Sequence, residues 1–396
     1  MQKQSRKIVL INQAYRGVEH LKFSLGSYLE KKGYNIQVVC GKNGDESLPS
    51  HEIRGKQEII RISNSVMKRN FWGRIKSYCS FILGFLKYIR RIENNSIVIV
   101  TSQPFMSVFI IACLKKKKKL TVLYNIQDLY PDIIVALNKK WMPKILLRTI
   151  KAWQKFALSR SDVIIAIGNS MKKLLEREYK ESCGKIRVIE NWGIREIENT
   201  VFKYKESPTG KLRVLYTGNM GESHEIETLL GAIRFIAHKR EYRELVLFKI
   251  IGFGVNYLKL RSICEEEAFD FVVFSDPIPT SELVREYENS DISIVISDKR
   301  IEGILVPSKF YSLCMANPMI FIGSKTDTPA EHIKAGKLGF CFENGEAERL
   351  ARALIKLAKD KEKKKQLREN ARQYYREFLS SDIRLNQWEQ IIKELH

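Results

Sequence analysis

No apolar run in the 396 residues approaches the roughly 20 residues that a membrane-spanning helix needs. The longest, 108–114 and 81–86 with Gly84 inside it, fall well short, so integral insertion is not expected. The chain opens with a few basic residues that lead straight into a short apolar strand, without the long apolar stretch and small-residue cleavage site of an export leader. The seven cysteines are odd in number and scattered, and no Cys-x-x-Cys pair or zinc spacing joins them, which fits a reducing compartment. No Gly-x-Gly-x-x-Gly follows the first strand, which argues against a dinucleotide oxidoreductase, and no Asp-x-Asp pair offers a metal-diphosphate clamp. Proline is scarce at 10 residues, so the chain does not read as a disordered linker.

What is present in excess is positive charge, and it is unevenly placed. Residues 1–210 carry 39 Lys and Arg against 17 Asp and Glu, a surplus of 22, whereas residues 211–396 carry 29 against 28. A basic first half facing a neutral second half predicts an anionic partner for the first, whether phospholipid, a lipid diphosphate or nucleic acid.

A chain of this length exceeds one ordinary core, so two domains are expected. Short Val- and Ile-rich runs alternate with helical patterns, the pattern of parallel βα units. Strands are expected at 6–11, 35–40, 58–62, 96–101, 120–125, 162–167 and 186–190, then at 212–217, 245–251, 270–274, 291–297, 318–323 and 338–342. This predicts an α/β protein with two Rossmann-like, doubly wound domains. The polar segment 191–210 is the expected linker. From about Gly345 onward the pattern is helical, with Leu379, Ile383, Leu385, Trp388 and Ile392 forming an apolar face that must dock elsewhere. The expected boundaries are 1–195, 196–378 and a terminal helix over 379–396.

Open parallel sheets bind ligands beyond the carboxyl ends of their strands. In the second half, Tyr216-Thr217-Gly218-Asn219-Met220-Gly221 runs from a strand through a turn into a helix, whose first amides would suit a phosphate. The next strand ends Gly252-Phe253-Gly254, where glycine admits a close approach. Farther on, Lys299, Arg300, Glu302, Gly303, Ser308 and Lys309 gather an acid, a hydroxyl and three cations around a helix start preceded by Pro307. A hydroxyl and a lysine suit diphosphate oxygens, and Glu302 suits sugar hydroxyls. A tight turn and a charged loop before a capped helix would produce the same local patterns. In the first half, Asp128 stands just beyond a strand end, able to accept a proton or fix a hydroxyl. Gly17, Glu19 and His20 follow the first strand.

These residues, taken in order with the run Tyr124-Asn125-Ile126-Gln127-Asp128-Leu129-Tyr130-Pro131-Asp132 and the segment Ile189-Glu190-Asn191-Trp192, resemble family 4 glycosyltransferases. The likeness is to the branch of bacterial exopolysaccharide, capsule and O-antigen enzymes. The resemblance implies a GT-B fold: an acceptor-binding domain first, a nucleotide-sugar donor domain second, the two facing a central cleft, and a C-terminal helix crossing back to the first. It implies a retaining, metal-independent transferase without a cofactor. It places Gly218, Asn219 and Gly221 under the donor diphosphate and Glu302 at the donor sugar. Gly17 would lie near the diphosphate, and Glu19 and His20 near acceptor hydroxyls. The chain departs from its relatives at three points. A second Glu expected near 310–312 is replaced by Phe310, Tyr311 or Ser312; a Lys after the diphosphate loop is replaced by the Ser223-His224-Glu225 region; and Gln127 stands where relatives have His. Lys309, with Lys299 or Arg300, is then the candidate for the leaving-group charge.

Residues 70–91 mix aromatics and aliphatics with cations near both ends, a pattern shared by interfacial helices and by core helices packed on a sheet. The run 115–119 is expected to be a solvated basic turn. With the surplus charge, these segments suggest peripheral attachment to an anionic membrane surface from the cytoplasmic side. The expected partners are a nucleotide-sugar, UDP-linked by family habit, and a lipid-linked saccharide. Two alternatives remain: a UDP-N-acetylglucosamine 2-epimerase-like enzyme of the same fold, and a basic nucleic-acid-binding protein, the latter lacking any recognisable reading motif.

Overall fold

The computed structural model describes residues 6–13, 21–66, 71–138 and 142–395. The chain divides into two units: unit 1 is Met1–Glu190 with Asp382–His396, and unit 2 is Asn191–Ser381.

Unit 1 is built on an eight-stranded sheet. Its strands are β1 (Ile8–Ile11), β2 (Ile36–Gly41), β3 (His51–Arg54), β4 (Gln57–Ile62), β5 (Ile97–Thr101), β6 (Thr121–Ile126), β7 (Val163–Ala166) and β8 (Ile186–Val188), in the spatial order β3-β4-β2-β1-β5-β6-β7-β8. All neighbours are parallel except β3 and β4. Unit 2 has β9 (Leu212–Asn219), β10 (Val246–Phe253), β11 (Val272–Ser275), β12 (Ile292–Ile296), β13 (Met319–Ile322) and β14 (Gly339–Phe342), all parallel, in the order β11-β10-β9-β12-β13-β14. In each sheet the order reverses beside the unit's first strand, at β1/β5 and at β9/β12, which is where doubly wound sheets open a crevice.

The central strands, such as Ile97–Thr101 and Ile292–Ile296, are buried along their whole length. Strands covered by helices on both faces read as continuous apolar runs, and this is why the sequence betrays them. The hairpin strand β3 escapes such a reading because its residues are mostly exposed and its one aliphatic, Ile53, points to solvent.

Two expectations need correction. The segment 191–210 is not a free linker: Trp192 and Ile197 are buried, the Gly193 amide donates to the Tyr375 hydroxyl at 3.2 Å, and Glu198 accepts from the Tyr375 hydroxyl and the Ser381 amide. Its first residues therefore belong to unit 2, and the units divide after Glu190. The lysines at 115–118 end the helix Met106–Lys118 rather than forming a turn, and cations there meet the partial negative charge of the last carbonyls. Lys115 reaches Asp162 at 2.6 Å, and Lys118 reaches the carbonyl of Ile92 at 2.5 Å. The helix Phe71–Tyr88 buries Phe81, Phe85 and Tyr88 while Leu83 and Leu86 lie exposed, so it packs by one face and shows solvent another. No helix among the described residues is long and apolar enough to cross a membrane.

The last helix, Ser381–Leu395, docks in unit 1 through buried Leu385, Trp388 and Ile392. Each such side chain contributes about 1.5–3 kcal/mol on leaving water. Around them Arg384 pairs with Glu190 at 3.0 Å, the Tyr28 hydroxyl donates to Glu389 at 2.7 Å, and Arg6 caps the Leu395 carbonyl at 2.6 Å. All seven cysteines are free.

Candidate active site

In unit 2 the carboxyl ends of β9 and β10 lie side by side, with Gly218 opposite Gly252 in the parallel register. The two glycines serve different ends. A Cβ at Gly252 would run into the Gly218 carbonyl, so this residue is dictated by the close approach of one backbone to the other. Gly218, at φ 110, takes a conformation that side chains rarely adopt, and a Cβ there would collide with the end of the Lys309 side chain. The bare main chain at Gly218 thus lets a cation lie across the strand end.

Lys309 opens the short helix Lys309–Cys314, and its ammonium donates to the Asn219 carbonyl at 2.9 Å and stands 5.3 Å from the Tyr216 ring centroid. The side chain is part-exposed, yet the protein packed about its ammonium pushes its pKa down to about 7. Removing a charge from water disfavours the charged form, and no carboxylate among the described residues pairs with this one. Burial, and next the Lys309 charge, push His224 down to about 4, so this imidazole is neutral near pH 7. Its Nδ1 faces the Gly221 carbonyl at 3.2 Å. The Ser223-His224-Glu225 region therefore supplies no cation, and Lys309 is left in that role.

A cleft of about 240 Å³ opens at this point. It is lined by Thr217, Gly218, Gly252, Lys309 and Ser312 together with apolar Phe253, Pro277, Ile278 and Leu283. Only Gly218, Gly252 and Lys309 of these were singled out from the sequence for the donor. The residues at 277–283 follow the end of β11 and could have been found by asking what lies beyond each strand's carboxyl end. Ile194, from the segment read as linker, also lines the cleft.

The other candidates in this unit divide. Asn219 is exposed, and Gly221 turns the chain after it, its carbonyl accepting from Asn256 at 3.1 Å. At the start of the helix that follows, Glu227–Ala237, one amide is already taken, because the Glu225 carboxylate accepts the Thr228 amide at 3.1 Å and hydroxyl at 2.6 Å. Arg300 turns back on Asp298, with Nε 2.9 Å and Nη2 2.5 Å from Oδ2. Burial alone would raise the Asp298 carboxyl, but hydrogen bonds from Arg300 hold it below its ordinary value. The charge of Arg300 is thus matched within its own loop. Lys299 is exposed, and its amide donates to Asn344 at 2.7 Å. Glu302 accepts from the Thr326 hydroxyl at 2.6 Å, a partner that sequence reasoning did not identify. Gly303 is buried beyond it, and Ser308 is exposed just before Lys309, without a capping bond from its side chain.

In unit 1, Asp128 lies just beyond β6 and accepts from the Gln103 amide at 2.5 Å, while the Asp128 and Gln127 backbone amides donate to the buried Ser102 hydroxyl at 3.1 and 3.0 Å. Ser102 and Gln103 follow β5, so two adjacent strand ends hold this acid. Gly17, Glu19 and His20 lie outside the described residues.

Comparisons with known proteins agree with this construction. The family model described as Glycosyltransferase Family 4 matches residues 15–192, and that described as Glycosyl transferases group 1 matches residues 198–374. An uncharacterized glycosyltransferase of Methanocaldococcus jannaschii is 21% identical over 289 residues, 72% of this chain and 71% of that protein. Among solved structures, sucrose-phosphate synthase from Thermosynechococcus elongatus superimposes with a TM-score of 0.75 at 16% identity, over 98% of this chain and 99% of that one. HepE of Anabaena, solved in complex with UDP and glucose, gives 0.66 at 14% identity over 98% and 100%. With one transferase model on each unit, in chain order, and a strand-end cleft on the second, this chain is a glycosyltransferase of the GT-B type.

Proposed function

We propose that this glycosyltransferase moves a sugar, with retention and without a metal, from a UDP-linked donor to a lipid-linked saccharide in bacterial surface polysaccharide biosynthesis. Unit 2 binds the donor. The observation that carries this reading is the cleft at the ends of β9 and β10, where Lys309 lies across bare main chain beside an apolar wall. A nucleobase suits the wall of Phe253, Pro277 and Ile278, and a diphosphate suits the ammonium. The HepE complex with UDP and glucose supports UDP on the same fold.

As the bond to the sugar breaks, negative charge grows on the departing diphosphate. A fixed ammonium and main-chain dipoles stabilise it without reorganising, and this is the main catalytic lever available to such a site. Glu302, steadied by Thr326, receives hydroxyls of the donor sugar. Asp128, held by Gln103, orients the acceptor hydroxyl, whose proton passes to the departing phosphate in a same-face attack. The family resemblance adds Gly17 near the diphosphate and Glu19 and His20 at the acceptor. Attachment to an anionic membrane surface follows from the surplus of 22 positive charges in residues 1–210, since each cation near such a surface contributes about 1 kcal/mol.

The test is the thermal midpoint of the purified protein in the presence of UDP, GDP, ADP and their sugar conjugates, because a ligand bound only by the folded state raises it. A rise with UDP and UDP-sugars alone is expected. A rise with another base would overturn the UDP assignment, and silence across the panel would overturn the donor-site assignment.

A further inference from the structure

Seen from the cleft, the polar inventory of unit 2 is short. Among the described residues that line it, Lys309 is the one charged side chain, and none carries a carboxylate. The hydroxyls are those of Thr217, Ser312 and Tyr287. Two of these, Thr217 and Tyr287, are themselves buried. That leaves Ser312, three residues beyond Lys309 and therefore on the same side of the helix Lys309–Cys314. Of the acids on neighbouring elements, none of which lines the cleft, Glu286 pairs with Lys249 at 2.6 Å, Asp291 with Arg213 at 3.1 Å and Glu302 with Thr326 at 2.6 Å, while Asp276 and Glu282, next to Pro277 and Leu283, are exposed.

This composition bears on how a nucleoside's sugar would be held. A ribose offers two adjacent hydroxyl donors, and the strong way to recognise both at once is a carboxylate, whose two oxygens accept them together. A single serine hydroxyl forms one neutral hydrogen bond, and such a bond is weak in net terms because water competes for the same partners. With a diphosphate on Lys309 and a base against Phe253 and Pro277, the sugar between them would meet Ser312 and bare main chain.

We propose that this donor site does not select ribose over deoxyribose, and that it accepts nucleoside diphosphates with or without the 2′-hydroxyl. The proposal rests on the reading of the cleft as a nucleotide-sugar site and narrows it to the substrate class. It extends the candidate donors from UDP-sugars to their deoxyribonucleoside counterparts.

The experiment is titration of the full chain with UDP, 2′-deoxy-UDP and dTDP by calorimetry. Dissociation constants for UDP and 2′-deoxy-UDP within about fivefold of each other are expected, the span of one weak neutral hydrogen bond. Tight UDP binding with 2′-deoxy-UDP weaker by about 50-fold or more would overturn the proposal while leaving the nucleotide-sugar reading intact. Failure of all three ligands to bind a folded sample would remove the reading and the proposal together. Ser312→Glu supplies the missing carboxylate and is expected to weaken 2′-deoxy-UDP relative to UDP by at least about tenfold. An unchanged ratio in folded Ser312→Glu protein would show that Ser312 does not face the ribose, which also overturns the proposal.

Discussion

At the ends of β5 and β6 in unit 1, the groups presented beyond the sheet are side chains tied to one another: Ser102 receives two backbone amides, Gln103 grips Asp128, and Gln127 reaches Asn125 at 3.0 Å. At the ends of β9 and β10 in unit 2, the side chains are withdrawn, and main chain is laid bare by Gly218 and Gly252 with Lys309 drawn over it. Both lie beyond the carboxyl ends of parallel strands, but one is assembled from polar side chains and the other from backbone plus a single cation. A network of side chains fixes one acid in one orientation. A bare strand end accepts a larger anionic group and depends on close packing of the chain beneath it.

That contrast can be broken most severely at Gly252. Gly252→Ala drives a methyl group into the Gly218 carbonyl, and we expect a loss of about 3 kcal/mol in stability together with loss of nucleotide binding, read by chemical denaturation and titration with UDP. A variant of unchanged stability would show that the two strand ends yield easily.

The two acids sharpen the contrast. Asp128→Asn and Glu302→Gln each remove a charged acceptor, one from each unit, and turnover should fall on the order of 30-fold while UDP affinity stays within about twofold. Were Asp128→Asn to weaken UDP instead, the division of roles between the units would be wrong.

The smallest effects belong to Lys309. Lys309→Ala should weaken UDP about tenfold. Because burial pushes this lysine down to about 7 from its ordinary 10.5, the unfolded chain binds the extra proton between those values and the folded protein does not. The folded state therefore gains stability from this group as pH rises through that window. A bound diphosphate favours the charged form, so UDP binding above pH 7 should take up a proton and weaken as pH rises, by at most tenfold per unit. Calorimetry in buffers of different ionisation enthalpy measures the uptake, and it should vanish in Lys309→Ala.

Much of the fold is legible residue by residue. The thirteen strands expected from Val- and Ile-rich runs all exist, shifted by a residue or two, because strands buried on both faces must be apolar throughout. The hairpin partner His51–Arg54 was invisible because its exposed edge carries no such signature. The site was legible where chemistry is local. Gly218 and Lys309, 91 positions apart, were each recognisable as candidates, but their meeting was not. Arg300 looked as available as Lys309, and only its turn back onto Asp298 separates the two.

The sequence by itself therefore determined the α/β architecture, the two-part organisation, the basic character of the first half and a short list of groups able to hold a sugar nucleotide. These follow from periodicity, charge and residue type, which act locally or by summation. Tertiary structure decided that Arg300 turns back onto Asp298, which helix start is already capped by Glu225, that 191–198 packs into unit 2, and that the cleft is lined by Lys309, hydroxyls and apolar side chains with no carboxylate among the described residues. Those outcomes depend on hydrogen bonds and burial between residues far apart in the chain, and such contacts exist only once the strands have fixed where each loop ends.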